Sequence, residues 1–273
     1  MEYEQKDMKL VAEILPNVAA QMREVLAGSF AAASRIATPS ARESDPRLDQ
    51  MASVLTKNSY QMIRLLGNLT EAGEMFEDAP YTMENDDVVD VCHGIWEQSR
   101  APYELKGVTL KFSSDKEQHF VRLAREKIER LLLNLLSNAL KFTPAGGTVT
   151  LRVAISDRFV KIIVSDTGCG IEPDRLERVF DGFADTQRMN VPPHGLGLGL
   201  PICRQIARRH GGTIVAESTV EKGATFTVSL PNSLGTEIIL HQPRFEYSGG
   251  FNRVLVELSD ALGAEAFLQK YLD

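Results

Sequence analysis

Three clusters in this chain carry residue types and spacings that could do chemistry. The first lies in RLLLNLLSNALKFTP, residues 130–144. Asn134, Asn138 and Lys141 stand four and then three residues apart, so on a helix all three project from one side. An amide oxygen is a hard neutral ligand suited to Mg²⁺, and a lysine one turn on is a point charge for a phosphate. The second cluster is Asp166-Thr167-Gly168-Cys169-Gly170-Ile171, directly after the strand-like run VKIIVS. A carboxylate at a strand end can accept from an exocyclic amino group, and the glycines after it let backbone approach a flat ring. The third is Gly195-Leu196-Gly197-Leu198-Gly199-Leu200, ahead of a helical pattern. Glycines there present unpaired N–H groups to phosphates. Singly, each cluster reads as well as an amphipathic helix, an Asp-Gly turn or a glycine loop. In this order and spacing, they point to a Mg²⁺-nucleotide.

The elements that must hold these clusters follow from hydrophobic period. Leu132, Leu135, Leu136 and Leu140 recur at helical spacing and give the first cluster its helix, over about 125–142. Residues 88–104 read as a further helix and 108–112 as a strand. Strands are predicted over 148–154, 160–165, 213–217 and 225–230, with a short helix over 173–179 and a longer one over 200–210. Helices on one side and hairpin-linked strands on the other make an α+β sandwich.

Before residue 88 the texture is different. Val11, Leu15, Val18, Met22, Val25, Ser29, Ala32 and Ile36 alternate four and three apart. So do Leu48, Ala52, Leu55, Ser59, Met62, Leu66, Leu69, Gly73 and Phe76. TPSARESDP separates the two runs, and Pro16 predicts a kink or a fresh first turn. Two such helices form an αα-hairpin. One hairpin cannot bury both seams, so two copies are expected to pair as a four-helix bundle, making a homodimer. EDAPYTMENDD then reads as a polar linker. The resulting division is 1–78 hairpin, 79–87 linker, 88–232 nucleotide-binding domain and 233–273 C-terminal extension.

Composition bounds the function. The chain has 273 residues, 43% of them apolar, and a formal net charge of -7. That charge argues against a general nucleic-acid binder, though not against a nucleotide site, which needs only local cations. The three cysteines, Cys92, Cys169 and Cys203, lack metal-ligand spacing and read as reduced thiols. No apolar run approaches a membrane span, and MEYEQKDMKL is too charged for a signal peptide. A cytoplasmic protein is expected.

With these motifs in hand, the chain resembles the GHKL ATP-binding superfamily, and within it the catalytic domain of sensor histidine kinases, whose fold is a Bergerat-type α/β sandwich. NLLSNALKFTP is similar to the family's N box and DTGCGI to its G1 box. VFDGF, containing Phe180, looks like its F box, and HGLGLGL its G2 box; ICRQIARRHGGTIVAES and KGATFTVSLP match the end of the domain. The resemblance implies that Asn138 holds Mg²⁺ with Asn134 in support, that Lys141 reaches the phosphates and that Asp166 binds the adenine amino group. It implies that Gly168, Gly170, Gly195, Leu196, Gly197, Leu198 and Gly199 shape the pocket and its lid. It implies ATP and Mg²⁺ as cofactors, and a response regulator or partner kinase as the signalling partner. Related hydrolytic ATPases place a glutamate base four residues before the Mg²⁺-binding Asn; here that residue is Asn134, which cannot take a proton at neutral pH, and Glu129 is one residue too far back. Phosphoryl transfer is therefore expected over hydrolysis. His210, ahead of two glycines at a helix end, is expected to be structural.

The pattern fails in one place. His93, His119, His194, His210 and His241 all lie outside the hairpin, which has no histidine to act as the family's phosphoacceptor. Aligning AQMREVL with the acceptor motif puts Ala20 at the acceptor position and Gln21 at its acidic neighbour; an alternative register uses Thr38-Pro39 and puts Ser34 there. A methyl group cannot accept phosphate, so self-phosphorylation at the usual site is not expected. Three readings follow: a kinase acting on a partner, a non-catalytic ATP-responsive scaffold, or an anti-sigma-type serine kinase, which the long hairpin disfavours. In the extension, TEIILH reads as a strand and 251–272 as amphipathic helices broken near Gly263. A packing role there is favoured over docking of a partner or second protomer.

Overall fold

A computed structural model describes residues 2–74, 81–181, 197–235 and 251–271. They divide into two compact units, one formed by the hairpin together with residues 246–273, the other by residues 80–245.

The first unit begins with α1 (Glu2–Ile36), which runs through Pro16 as one helix. Losing a single backbone donor leaves the rest of so long a ladder in place. The expected break at TPSARESDP contains a short helix, α2 (Pro39–Ser44), before α3 (Pro46–Glu74). Both helix starts are written locally. The Thr38 hydroxyl accepts from Ala41 N–H ahead of Pro39, and Asp45 accepts from Arg47 and Leu48 N–H around Pro46. On α1, Ala19 is buried and Leu26, Ala27, Phe30 and Ala33 are half-buried, while Val18, Met22, Val25 and Ile36 of the anticipated seam lie exposed. Met51, Leu55 and Met62 of α3 are exposed as well.

The second unit is α+β. Its first strand, β1 (Glu84–Asp87), lies in the stretch read as a linker and pairs antiparallel with β3 (Phe120–Leu123). Neither strand was anticipated, and both belong to the unit of residues 80–245. β1 is polar because its side chains serve the helices beside it. Asp87 caps α4 (Val88–Leu105) by accepting from Val89 and Asp90 N–H, and Asp86 pairs with Arg125 at 3.1 Å. Arg125 also reaches Asp90 at 2.8 Å and Glu129 at 3.1 Å, fixing the start of α5 (Arg125–Phe142).

A five-stranded sheet runs β2-β4-β5-β7-β6, from β2 (Thr109–Ser114), β4 (Thr148–Ile155), β5 (Phe159–Asp166), β6 (Thr213–Thr219) and β7 (Gly223–Pro231). β2 lies parallel to β4; the other pairs are antiparallel. Val149, Leu151 and Val153, then Val160, Ile162 and Val164, then Phe226, Val228 and Leu230 alternate into the core, while Arg152 and Lys161 point to solvent. α4, α5 and α7 (Gly199–Arg209) cover the sheet; α6 (Pro173–Leu176) is a single turn. The leucine stripe of α5 is buried as expected, and Ile128, Leu131 and Leu133 are buried too, so this helix is sunk on more than one face. Removing one such leucine side chain would cost about 2–5 kcal/mol.

After β7 the chain returns to the first unit. α8 (Arg253–Leu258) and two 3-10 turns, Ala264–Phe267 and Gln269–Tyr271, pack on the hairpin. The strand expected at TEIILH lies outside the described residues. No helix among the described residues is long and apolar enough to cross a membrane.

Candidate functional site

α5 sets the site. Tyr103 of α4 donates its hydroxyl to the Leu136 carbonyl at 2.7 Å, and Lys106 Nζ donates to the carbonyls of Leu140 and Lys141 at the helix end. Burial raises the Tyr103 phenol well above its ordinary pKa, with the charge of Asp166 adding to the effect. These two anchors have no motif spacing and were not anticipated.

Asn134 is completely buried, deeper than the edge position its spacing implied. Among the described residues, neither atom of its carboxamide has a hydrogen-bond partner. Asn138 and Lys141 are half-buried. The first residue of α7, Gly199, lies directly over Asn134: a Cβ at Gly199 would stand 3.2 Å from the Asn134 Oδ1. A side chain there would crowd the Asn134 carboxamide, which would have to give by a few tenths of an ångström. Leu198, at the N-cap of α7, is buried and supplies no side-chain cap. Gly199 and Leu200, whose N–H groups open α7 ahead of Pro201, have no side-chain cap, and Gly199 lies next to the buried amide, an arrangement that suits an anion. Gly197 has a φ of +68° and open space around its Cα.

Asp166 ends β5. Its Oδ1 accepts from Gly168 N–H at 2.8 Å and from Ala224 N–H at 3.3 Å. Burial pushes its carboxyl up from the ordinary value, against the pull of those two donors. The loop beyond Asp166 is held against the end of α5, where Cys169 N–H donates to the Phe142 carbonyl at 3.4 Å. Gly170 turns this loop with a φ of +71°, and a Cβ there would collide with the Thr219 carbonyl. Lys141, Phe142, Thr167, Gly168, Cys169 and Lys106 line an open cavity of about 570 Å³. Lys141 and the Asp166 loop thus share one concavity, while Asn134 meets Gly199 outside it. Phe180 packs edge-on against Phe226 of β7, with centroids 6.3 Å apart. Gly195 and Leu196 lie outside the described residues, as do Gly182, Phe183 and His194.

The second unit brings together a buried amide without a partner, a lysine, a helix start without a side-chain cap and a half-buried carboxylate at a strand end, the group types a Mg²⁺-bound nucleotide would use. No group of three or more His, Cys, Asp or Glu able to hold a metal by itself occurs among the described residues. The neutral amide oxygens of Asn138 and Asn134 with phosphate oxygens are a donor set for a hard cation.

The anticipated role of His210 also has its geometry. Nε2 accepts from Ala124 N–H at 3.0 Å, at the N-cap of α5, and Nδ1 donates to the Ile206 carbonyl at 2.8 Å. Accepting at one nitrogen requires the neutral ring, and burial lowers its pKa. Glu129 is taken by Arg125. Ala20 is exposed on α1.

Residues 124–234 match the family described as histidine kinase-, DNA gyrase B-, and HSP90-like ATPase. The adaptive-response sensory kinase SasA of Microcystis aeruginosa is 30% identical over 235 residues, covering 83% of this chain and 60% of that protein. The histidine protein kinase DivJ of Caulobacter vibrioides is 39% identical over 132 residues, 48% of this chain and 22% of that one. Full-length ShkA, solved in complex with AMPPNP, has the same fold over 82% of this chain and 46% of its own, at a TM-score of 0.66 and 22% identity. The chain spans between 22% and 60% of the length of these two relatives.

Proposed function

Because the chain belongs to the sensor histidine kinase family through residues 124–234, we propose that it is a cytoplasmic two-component signalling protein that binds Mg-ATP for phosphoryl transfer. The unpartnered carboxamide of Asn134 beneath the uncapped start of α7 carries this reading. Asn138 and Asn134 offer oxygens to Mg²⁺, Lys141 neutralises phosphate charge, and Asp166 accepts from the adenine amino group. Gly168 and Gly170 bring backbone to the ring, and Gly197, Leu198 and Gly199 form the phosphate side. Bound Mg-ATP supplies the γ-phosphoryl group; this chain's residues orient it and neutralise its charge, which is most of what such transfer needs. With Asn at 134 and Glu129 paired to Arg125, neither position offers a base to activate water.

The chain acts as a homodimer, and the hairpin is its pairing element. The exposed row Val18, Met22 and Val25 of α1, four and then three residues apart, and the exposed Met51, Val54, Leu55 and Met62 of α3 support this. The acceptor is a histidine or an atypical residue on a partner, a response regulator or another kinase in the same pathway, because Ala20 offers only a methyl group. That same observation favours a second reading, a nucleotide-responsive scaffold without transfer. Incubation with γ-labelled ATP and Mg²⁺ separates the two: label on an added partner supports transfer, and nucleotide binding with no label anywhere supports the scaffold. Acid-labile label on the chain itself overturns the assignment of Ala20. Asn138→Ala and Asp166→Ala should each abolish nucleotide binding in a calorimetric titration, and unchanged affinity sinks the site.

A further inference from the structure

The hairpin has two faces of different character. On α3, Asp49, Tyr60 and Arg64 fall eleven and four residues apart, on one stripe, and residues 251–271 lie along it. Phe251 packs on Phe30 of α1 and Tyr60 of α3 at centroid distances of 4.5 and 5.1 Å, and Phe267 meets Tyr60 at 5.3 Å. Asn252 N–H donates to the Tyr60 hydroxyl at 3.3 Å, and Arg42 donates to the Phe267 carbonyl at 2.7 Å. Gln269 N–H donates to Asp49 at 3.1 Å. Arg64, nearly buried, faces Asp260 at 2.7 Å and the buried Glu257 at 3.6 Å, without hydrogen-bond alignment. The opposite face carries the exposed rows Val18, Met22, Val25 and Ile36 on α1 and Met51, Val54, Leu55 and Met62 on α3.

We propose that residues 251–271 are a strap that closes one face of the hairpin, so that a second copy of this chain pairs only across the opposite, apolar face. This rests on the homodimer reading above. The occupant of the open face is argued from its pattern. Val18, Met22 and Val25 of α1 stand exposed four and then three residues apart, α3 adds Met51, Val54, Leu55 and Met62, and an isologous pair buries the exposed apolar residues of both copies. The strap face cannot serve in the same way while it is covered. With the strap lifted, a second copy pairing on this face would bury Arg64 without Glu257 and Asp260, and an unpaired buried guanidinium is costly. The strap therefore acts as negative selection against pairing on the wrong side. Its contacts are aromatic rings, a few hydrogen bonds and an ion pair at Arg64, and reversing the charge at Arg64 turns that pair into repulsion.

The test uses the full chain in sedimentation velocity and timed trypsin digestion. Wild type should sediment as one dimer, and Val25→Glu on the open face should give monomer. A monomeric wild type defeats the homodimer reading itself. Arg64→Glu, which sets like charges against Glu257 and Asp260, should raise cleavage at Arg253 and Lys270 at least about tenfold and produce species larger than a dimer. Arg64→Glu combined with Glu257→Arg and Asp260→Arg should restore slow cleavage and a single dimer. Where Arg64→Glu loses its folded circular-dichroism signal, Glu257→Gln with Asp260→Asn decides by the same two readouts. A strap shown by digestion to be released while the protein stays a strict dimer overturns the proposal. So does unchanged digestion in both variants, or a Val25→Glu chain that remains dimeric.

Discussion

Asn134→Leu is the perturbation that most sharply separates a ligand-facing amide from a structural one. In the folded chain the carboxamide is fully buried and its two polar atoms lack partners among the described residues. Leaving such a group unmade costs about 1–3 kcal/mol, and an apolar side chain of similar size removes that cost. The ligand-free variant should therefore be more stable than wild type by about 1–3 kcal/mol, a rise in melting temperature of roughly 2–10 °C for a unit of this size. Ligand response should move the other way. An ATP analogue at a hundred times its Kd stabilises wild type by about 2.7 kcal/mol. Losing a group that supports the metal typically weakens affinity about 10–100-fold. At the same concentration the variant would gain only about 0.4–1.4 kcal/mol. Differential scanning fluorimetry with and without Mg²⁺ and the analogue reads both quantities in one plate, and urea titrations convert them to free energies. A variant that is less stable without ligand and keeps the full ligand response refutes the reasoning, because Asn134 is then an ordinary buried amide serving the fold.

Two further outcomes follow from the charged and titrating groups. His210 is held neutral with a lowered pKa, while in the unfolded chain it titrates near about 6.5; stability should therefore be lost as pH falls from there toward the lowered value. Urea midpoints between pH 7.5 and 5 should show this loss, and His210→Gln should flatten it; an equal slope in both proteins rules out the ring as its source. Asp166 must be ionised to accept from an amino group, and burial raises its pKa, so ATP affinity should decline with falling pH before an ordinary carboxylate would begin to titrate. Calorimetry down to pH 4 checks this, and an affinity that holds constant to that pH excludes Asp166 as the adenine acceptor.

How much of this could be read beforehand depends on how far away the deciding information lies. α5 is bounded as its leucines and end residues imply, and β4 to β7 fall within a few residues of their apolar alternation, because period and turn signals are local. β1 was unreadable. ENDD has no apolar pattern, and it is a strand because Asp87 caps α4 and Asp86 meets Arg125, well beyond the next helix. β3 carries the signal HFVRLA, in which Val121 and Leu123 are buried, but four residues are too few to set against a loop. The hairpin was legible as helices and not as faces. Spacing identified the rows of Val18, Met22 and Val25, yet only the strap, from the far end of the chain, shows which side is left open.

The candidate site raises the same issue for polar residues. Asn134, Tyr103, Thr143 and His210 all sit buried around α5, and residue type does not tell which serve the fold. Their hydrogen bonds do. Tyr103 holds the Leu136 carbonyl, Thr143 Oγ1 donates to Ala139 at 2.6 Å, and His210 uses both ring nitrogens. Each of these has its bonding capacity met by the protein, so a ligand would have nothing to offer it. Among the described neutral side chains of this unit, only Asn134 and the Ser99 hydroxyl are buried without a partner. Asn134 alone of the two stands beneath an uncapped helix start, across from a glycine that keeps the space clear. Among the described residues, this unit meets the needs of its buried phenol and imidazole and leaves one carboxamide open beside a helix start without a side-chain cap. A cation bridged to an anion has both the acceptor and the charge to fill that gap, and the Asn134→Leu experiment tests that chemistry.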